Sequence, residues 1–390
     1  MKRLLKISVN IAIGSVVPIA IWFCLGLIVN PKLINVFTIT YPIQFLYLLI
    51  ISIFGTGANI VKEKEERGDI VNSSFKLGAI VSMLIFCTLA TNVNAYLKFI
   101  GIKNAIYKIF TSYSILAFGL GSVFCIIVEK LYFEERETLA FRYMFIYNSL
   151  HFGGIVGCLL ITKNQIISII FTFLLLITYT IIVAIKEQML SCNKFDYHLL
   201  NNIKYESSTI INDLMFLGIF LLGLKNANSF GMQYTSAINF VALITDTQWD
   251  SLGAIATVAK VDISKDVFQY KKHLQNAYKL TAVCMCTTFL MLISLYKFYK
   301  LNLVLVIEYL CFELINFALW AKYTIECVMI QINFSSLKST VVKIFSNITR
   351  FLLSIFLFTP FCTAIGQVAG SIIQFIGYDF LNKEYNKTRT

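Results

Sequence analysis

Acidic side chains set into apolar runs are the residues of this chain that could do chemistry. In the C-terminal half, Asp213, Asp246, Asp250, Glu308, Glu313 and Glu326 fall inside or at the ends of such runs, whereas every Asp and Glu of the first half, from Glu63 to Asp196, falls between them. A carboxylate at the centre of a membrane-spanning helix costs about 2.5 to 3.5 kcal/mol on insertion scales, so it is expected to face a cavity or a partner. Thr235, Asn239, Asp246, Asp250, Gly253 and Thr257 recur at spacings of 4, 7, 4, 3 and 4, which keeps them on one stripe of a helix. Two carboxylates one turn apart resist simultaneous ionisation, so such a pair tends to hold a proton and to release it when another cation arrives. Asp246 and Asp250 are therefore candidate cation-coupling or cargo-binding residues; the competing reading pairs them with Lys322 or with neighbouring helices. Glu313 joins them as a third candidate, because Glu313, Asn316 and Trp320 share a helix face. Glu308, Glu326 and Asp213 stand where snorkelling to an interface makes an acid less costly.

Other polar positions read as candidate cavity lining. Pro18 bends a helix by removing a backbone donor, and Trp22 lies two turns from Ser15 on that segment. Thr40, Gln44 and Tyr47 form a second such face, and Asn239 belongs to the stripe of Asp246. His151 stands beside Gly153-Gly154, where a packed, hydrogen-bonded imidazole is the first reading and a proton relay the second. No residue is assigned a catalytic or metal-binding role. Cys284-Met-Cys286 lacks the further Cys or His ligands that a metal needs, and the ten cysteines, all but Cys192 in apolar runs, read as small hydrophobes.

The elements that position these residues follow from composition. Of 390 residues, 58% are apolar and only 14% charged, against roughly a quarter charged in a water-soluble domain. The bilayer is the expected solvent, and disorder, coiled coil and disulfide scaffold are excluded by the same figures. The net charge of +12 fits cytoplasmic loops rather than nucleic acid. The apolar run from Ile7 to Val29 has no cleavage site and reads as a first span, not a removed leader.

Twelve spans of about 20 residues are expected. They run roughly Ile7 to Val29, Ile34 to Gly55, Leu77 to Leu97, Ile109 to Val128, Phe141 to Thr162 and Gln165 to Ile185, then Thr209 to Leu224, Thr235 to Ala259, Ala277 to Tyr296, Leu303 to Phe334, Ile344 to Pro360 and Phe361 to Tyr378. Lys and Arg concentrate in the N-terminal segment, the even-numbered connections and the C-terminal segment, which predicts both termini in the cytoplasm. Residues 1–190 are expected to form an N-terminal six-helix lobe, 191–208 a cytoplasmic linker and 209–390 a C-terminal six-helix lobe. Long charged loops are predicted after spans two and eight, entered through Gly57-Ala58 and Gly253-Ala254. That shared order is what a duplicated unit leaves behind, with the halves as parallel repeats.

Twelve spans in two sixes, the run from Tyr41-Pro42 through Gly55-Thr-Gly57 to Arg67-Gly68-Asp69, and the run from Gln331 through Lys338 onward resemble the multidrug and toxic-compound extrusion family, within the MOP flippase superfamily. The resemblance implies an all-α polytopic membrane protein, with two six-helix lobes around a central cavity, that exports a substrate by alternating access. It also implies acids in the first, seventh, eighth or tenth spans. Span one here has none, which shifts the expected cation site to Asp246, Asp250 and Glu313.

The expected activity is cation-coupled export, driven by H+ or Na+, of a small amphipathic or cationic compound, with aromatic walls and carboxylates attracting the cargo. Export or flipping of a lipid-linked saccharide is the alternative, but its pyrophosphate would favour arginines in the cavity, and Arg142 and Arg350 stand near predicted span ends. A reading of another class is an intramembrane prenyltransferase-like enzyme, because Asp246-Thr-Gln-Trp-Asp250 has DxxxD spacing; no second acid-rich motif accompanies it. No Walker motif points to ATP hydrolysis. The expected setting is the cell membrane, with the bilayer and a small-molecule or lipid-linked substrate as partners, no nucleic acid, no cofactor beyond the coupling ion, and a monomeric state.

Overall fold

The computed structural model describes residues 16–65, 69–191, 199–265, 267–295 and 301–389; within its helices some side chains, those of Asp246 and Asp250 among them, lie outside the described set. The described chain is helical, with no strand. It divides into a unit of Val16–Gly218 and a unit that takes in Ile219–Thr390.

The first unit contains α1 (Val16–Ile28), α2 (Asn35–Ile51), α3 (Gly57–Glu65), α4 (Ile70–Thr91), α5 (Val93–Phe99), α6 (Ile106–Phe133), α7 (Glu137–Phe152), α8 (Cys158–Thr162) and α9 (Gln165–Lys186). A π-helical turn, Ser52–Thr56, joins α2 to α3, and another, Gly153–Gly157, joins α7 to α8. Helix α10 (Leu199–Phe230) crosses the boundary between the units. The second unit continues with α11 (Met232–Lys265), α12 (Gln269–Leu295), α13 (Leu303–Asn333), α14 (Ser336–Phe356) and α15 (Cys362–Arg389). Among the described residues nine helical stretches are long and apolar enough to cross a membrane, and Val16–Ile28 is a shorter apolar helix. The chain is an all-α polytopic membrane protein.

Burial on these helices runs opposite to that of a soluble bundle. Ser168, Thr172 and Thr180 of α9 are buried, while Ile166, Ile170, Leu174, Ile177 and Ile181 are exposed. Helix α14 repeats the pattern, with Ser339, Ser346, Asn347, Arg350 and Ser354 inside and Val341, Phe345, Leu352 and Phe356 outside. Hydrocarbon rewards no apolar burial, so helices associate through small residues and hydrogen bonds. At the α4–α6 contact Ser82 Oγ donates to the carbonyl of Gly119 at 2.8 Å and lies 2.7 Å from Ser122 Oγ. Thr40 of α2 meets Ser114 of α6 at 2.9 Å. In the second unit Ser346 Oγ donates to the Gly370 carbonyl at 2.8 Å, and Gln374 Nε2 donates to Ser346 Oγ at 3.0 Å.

Two expectations change at the glycines. Gly57-Ala58 and Gly253-Ala254 do not open loops, since the backbone stays helical to Glu65 and to Lys265. Gly57 instead allows close approach, because a Cβ there would fall 2.8 Å from the carbonyl oxygen of Asn202. The predicted third span is also divided, with α4 ending at Thr91 and α5 starting at Val93. The Thr359-Pro360 break between α14 and α15 is present. Asn226 Nδ2 reaches the Leu357 carbonyl at 3.3 Å and Tyr309 donates to the Pro360 carbonyl at 2.6 Å, so side chains satisfy backbone oxygens at the break between the two helices.

A Cβ at Gly119 would fall 2.8 Å from Cβ of Phe86. Gly119→Leu is expected to lower the unfolding midpoint in detergent, at a cost of roughly 1 to 3 kcal/mol, whereas Ile181→Val on the outer face of α9 leaves it unchanged; fluorescence-monitored melting checks both.

Candidate functional site

In the second unit α11 and α13 pack together and bring Trp249 against Glu313. The Trp249 indole Nε1–H donates to Glu313 Oε2 at 3.0 Å. Its ring lies 4.3 Å from that of Phe317 and 6.2 Å, edge to face, from that of Trp320. Beneath these rings is a buried floor of Leu252, Cys284 and Phe317, bordered by Leu280, Met285 and Leu314, so α12 contributes as well. Glu313 is half-buried, and its Oε1 accepts no hydrogen bond among the described residues. One turn along α13, Asn316 is buried, and its Oδ1 has no hydrogen-bond partner among the described residues.

The arrangement has a definite polarity. One carboxylate oxygen is fixed by an N–H donor, the other accepts none among the described residues, Asn316 follows one turn along α13, and the rings of Trp249, Phe317 and Trp320 pack together alongside. Such a surface attracts a positive group through charge and through the ring faces. Among the sequence candidates, Glu313, Asn316 and Trp320 are thus brought together. Asn239 is buried on α11. Asp246 and Asp250 lie on that same helix, with side chains outside the described residues. Trp249 had no assigned role in the sequence, although it sits between those aspartates; its signal is an indole donor inside a polar stripe.

The remaining candidates belong to the first unit. Trp22 is buried, edge-on to Phe110 and Tyr113 at 6.3 and 6.2 Å. Pro18 is half-buried in the first described turn of α1. Gln44 is half-buried on α2, and one turn along it Tyr47 lies with its hydroxyl 2.9 Å from Cys125 Sγ. His151 is hydrogen-bonded to Tyr113, as the packed reading expects.

Several other charged side chains are paired. Lys322 Nζ lies 2.5 Å from Asp379 and 3.7 Å from Glu326. Glu326 is buried and accepts from Tyr270 and Asn382 at 3.4 and 3.3 Å, so it is held in a network rather than snorkelling to an interface. Arg350 is buried within α14, donating to Asn347 and Ser371 at 3.0 and 3.4 Å; it is not a span-end residue. Glu129, read as a loop acid, lies inside α6 and accepts from Thr56 at 3.1 Å. No cluster of three His, Cys, Asp or Glu side chains among the described residues is arranged to hold a metal ion.

No family model matches the chain, and no curated protein matches it either. Solved structures do. An outward-facing multidrug resistance MATE family transporter of the MOP superfamily is similar at a TM-score of 0.72 and 13% identity, over 99% of this chain and 96% of the other. An inward-facing MATE family transporter is similar at 0.67 and 11%, over 100% and 96%. A MOP superfamily transporter from Pyrococcus furiosus, described as having a binding pocket of reversed polarity, is similar at 0.71 and 14%, over 97% and 95%. The fold is therefore that of MATE family transporters of the MOP superfamily, as the sequence resemblance implied.

Asp379, just past the last predicted span, is held below the usual carboxylate range first by its hydrogen bond from Lys322 and then by that from Lys383. A depressed carboxylate contributes stability above its unfolded value, near 3.8, and loses it as pH falls through the folded value. Asp379→Asn is expected to melt earlier than wild type at neutral pH, with the difference closing below about pH 4; melting curves across pH check this.

Proposed function

We propose that this chain is a secondary active exporter of a small amphipathic or cationic compound, working by alternating access and driven by H+ or Na+. The observation that carries the reading is the Glu313 carboxylate, braced on one oxygen by Trp249, flanked by Phe317 and Trp320, and without an ion pair among the described residues. A fold shared with both outward-facing and inward-facing MATE family transporters supports the alternating-access part. The Lys and Arg bias supports a chain with both termini in the cytoplasm of a cell-membrane protein.

Asp246 and Asp250 remain the coupling candidates, one turn apart on the helix that carries Trp249. A carboxylate that binds either a proton or the cargo cation, but not both, couples the two fluxes by competition. Arg350 is the residue that would favour a lipid-linked anionic cargo, but its guanidinium is tied to Asn347 and Ser371, which favours the cationic reading.

The test is gradient-driven efflux of a fluorescent organic cation from proteoliposomes. Wild type should move dye under an imposed pH or sodium gradient, Asp246→Asn should uncouple the flux from the gradient, and Glu313→Gln should lower flux at subsaturating dye about tenfold, the effect of losing roughly 1 to 2 kcal/mol of cation attraction. Unchanged flux in both variants would remove these carboxylates from the mechanism. No flux in wild type under any gradient would favour the lipid-linked or enzymatic readings.

A further inference from the structure

One face of α12 changes character along its length. Two adjacent rows run down it at helical spacing, Lys272, Lys279, Val283 and Leu290 in one and Lys271, Tyr278 and Phe289 in the other. All of these side chains are exposed, Val283 at 59% and Leu290 at 64%. The opposite face, with His273, Ala277, Thr281 and Cys284, is buried. From Val283 onward the exposed rows are apolar and suit acyl chains, whereas up to Lys279 they carry ammonium groups and a tyrosine hydroxyl. The level of the headgroups therefore falls at the turn of Tyr278 and Lys279, residue types that pair an apolar body with a polar tip.

The basic turns are held in place by their buried side. Tyr270 and Leu274 pack on the cluster of Ile255, Ala259 and Ile263 from α11 and Ile325 and Val328 from α13. The Tyr270 hydroxyl donates to Glu326 at 3.4 Å and accepts from Asn382 at 3.3 Å. The acids of these neighbouring helices already have cations: Glu326 and Asp379 lie 3.7 and 2.5 Å from Lys322, and Asp379 lies 2.7 Å from Lys383. Lys272 donates to Gln269 at 3.2 Å, and neither it nor Lys271 or Lys279 forms an ion pair among the described residues. From Lys271 to Lys279, about 12 Å of helix, the surface thus offers positive charge that no described carboxylate neutralises.

We propose that this face of α12 is a docking surface for anionic phospholipid, with the headgroup phosphate against Lys271, Lys272 and Lys279 and the acyl chains along Val283, Phe289 and Leu290. Charge complementarity selects the occupant. A zwitterionic headgroup brings its own cation with its phosphate and gains little from the lysines, whereas a headgroup of net negative charge gains from each of them. Continuity with the apolar rows selects a lipid over a soluble phosphate, which has the charge without the chains. Binding requires only that the chain spans a bilayer, so it stands apart from the export reading.

The experiment is native mass spectrometry of the full chain in detergent, titrated with phosphatidylglycerol or with phosphatidylcholine of the same acyl chains. Wild type is expected to bind phosphatidylglycerol more tightly than phosphatidylcholine. The triple variant Lys271→Gln, Lys272→Gln, Lys279→Gln is expected to lose phosphatidylglycerol affinity on the order of tenfold or more while binding phosphatidylcholine as before. Replacing the same three lysines with arginine keeps the preference. So does the triple variant Lys98→Gln, Lys103→Gln, Lys108→Gln, which removes equal charge from exposed positions of the first unit. Equal phosphatidylglycerol affinity in wild type and the α12 glutamine variant would overturn the proposal. An equal loss in the first-unit variant would overturn it too, because net charge rather than this face would then be responsible. Loss in the arginine variant, or displacement of the lipid by glycerol phosphate at the same concentration, would also count against it decisively.

Discussion

Hydrocarbon cannot hydrogen-bond, and this constraint sets how the polar side chains of the described helices are placed and partnered. On α9 and α14 Ser, Thr, Asn and Arg side chains turn inward, while Ile, Leu and Phe crowd the outer face. The contacts of Ser82 with Ser122 and Gly119, and of Ser346 with Gly370, show how the helices are held: small side chains let backbones approach, and each approach is sealed by a hydroxyl. Gly57 and Gly119 serve the same end, since a Cβ at either would strike Asn202 or Phe86.

Within that scheme a carboxylate needs an answering group, and the two acids best seen in α13 receive different ones. Glu326 is enclosed by Lys322, Tyr270 and Asn382, with Asp379 sharing the lysine. Among the described residues Glu313 is given an indole N–H on one oxygen and an aromatic flank. The first arrangement is a tie between α12, α13 and α15. Glu326 already has the Lys322 ammonium beside it, whereas Glu313 has no ion pair among the described residues, which is why the functional reading rests on Glu313 rather than on acids in general.

Helices set by local patterns were legible in the sequence. Helix α9 starts where the Asn164 side chain accepts from the amides of Ile166 and Ile167, and ends at Lys186, as its apolar run and flanking polar residues predict. The Thr359-Pro360 break was legible for the same reason. What the sequence hid depends on partners far along the chain. Gly57 reads locally as a helix stop, yet its neighbour is Asn202. Lys322 pairs with Asp379, a partner 57 residues along the chain that no local pattern points to. Glu313, Asn316 and Trp320 could be grouped by helical spacing, whereas Trp249 reaches them only through the packing of α11 on α13, which no periodicity reports.

A structure of the protein bound to a bromine-labelled organic ammonium would test the central claim most directly. The bound charge is expected beside Oε1 of Glu313, with the bromine signal against Trp249 and Trp320. A cation seated away from α13, with Glu313 closed off by a protein donor on both oxygens, would contradict it.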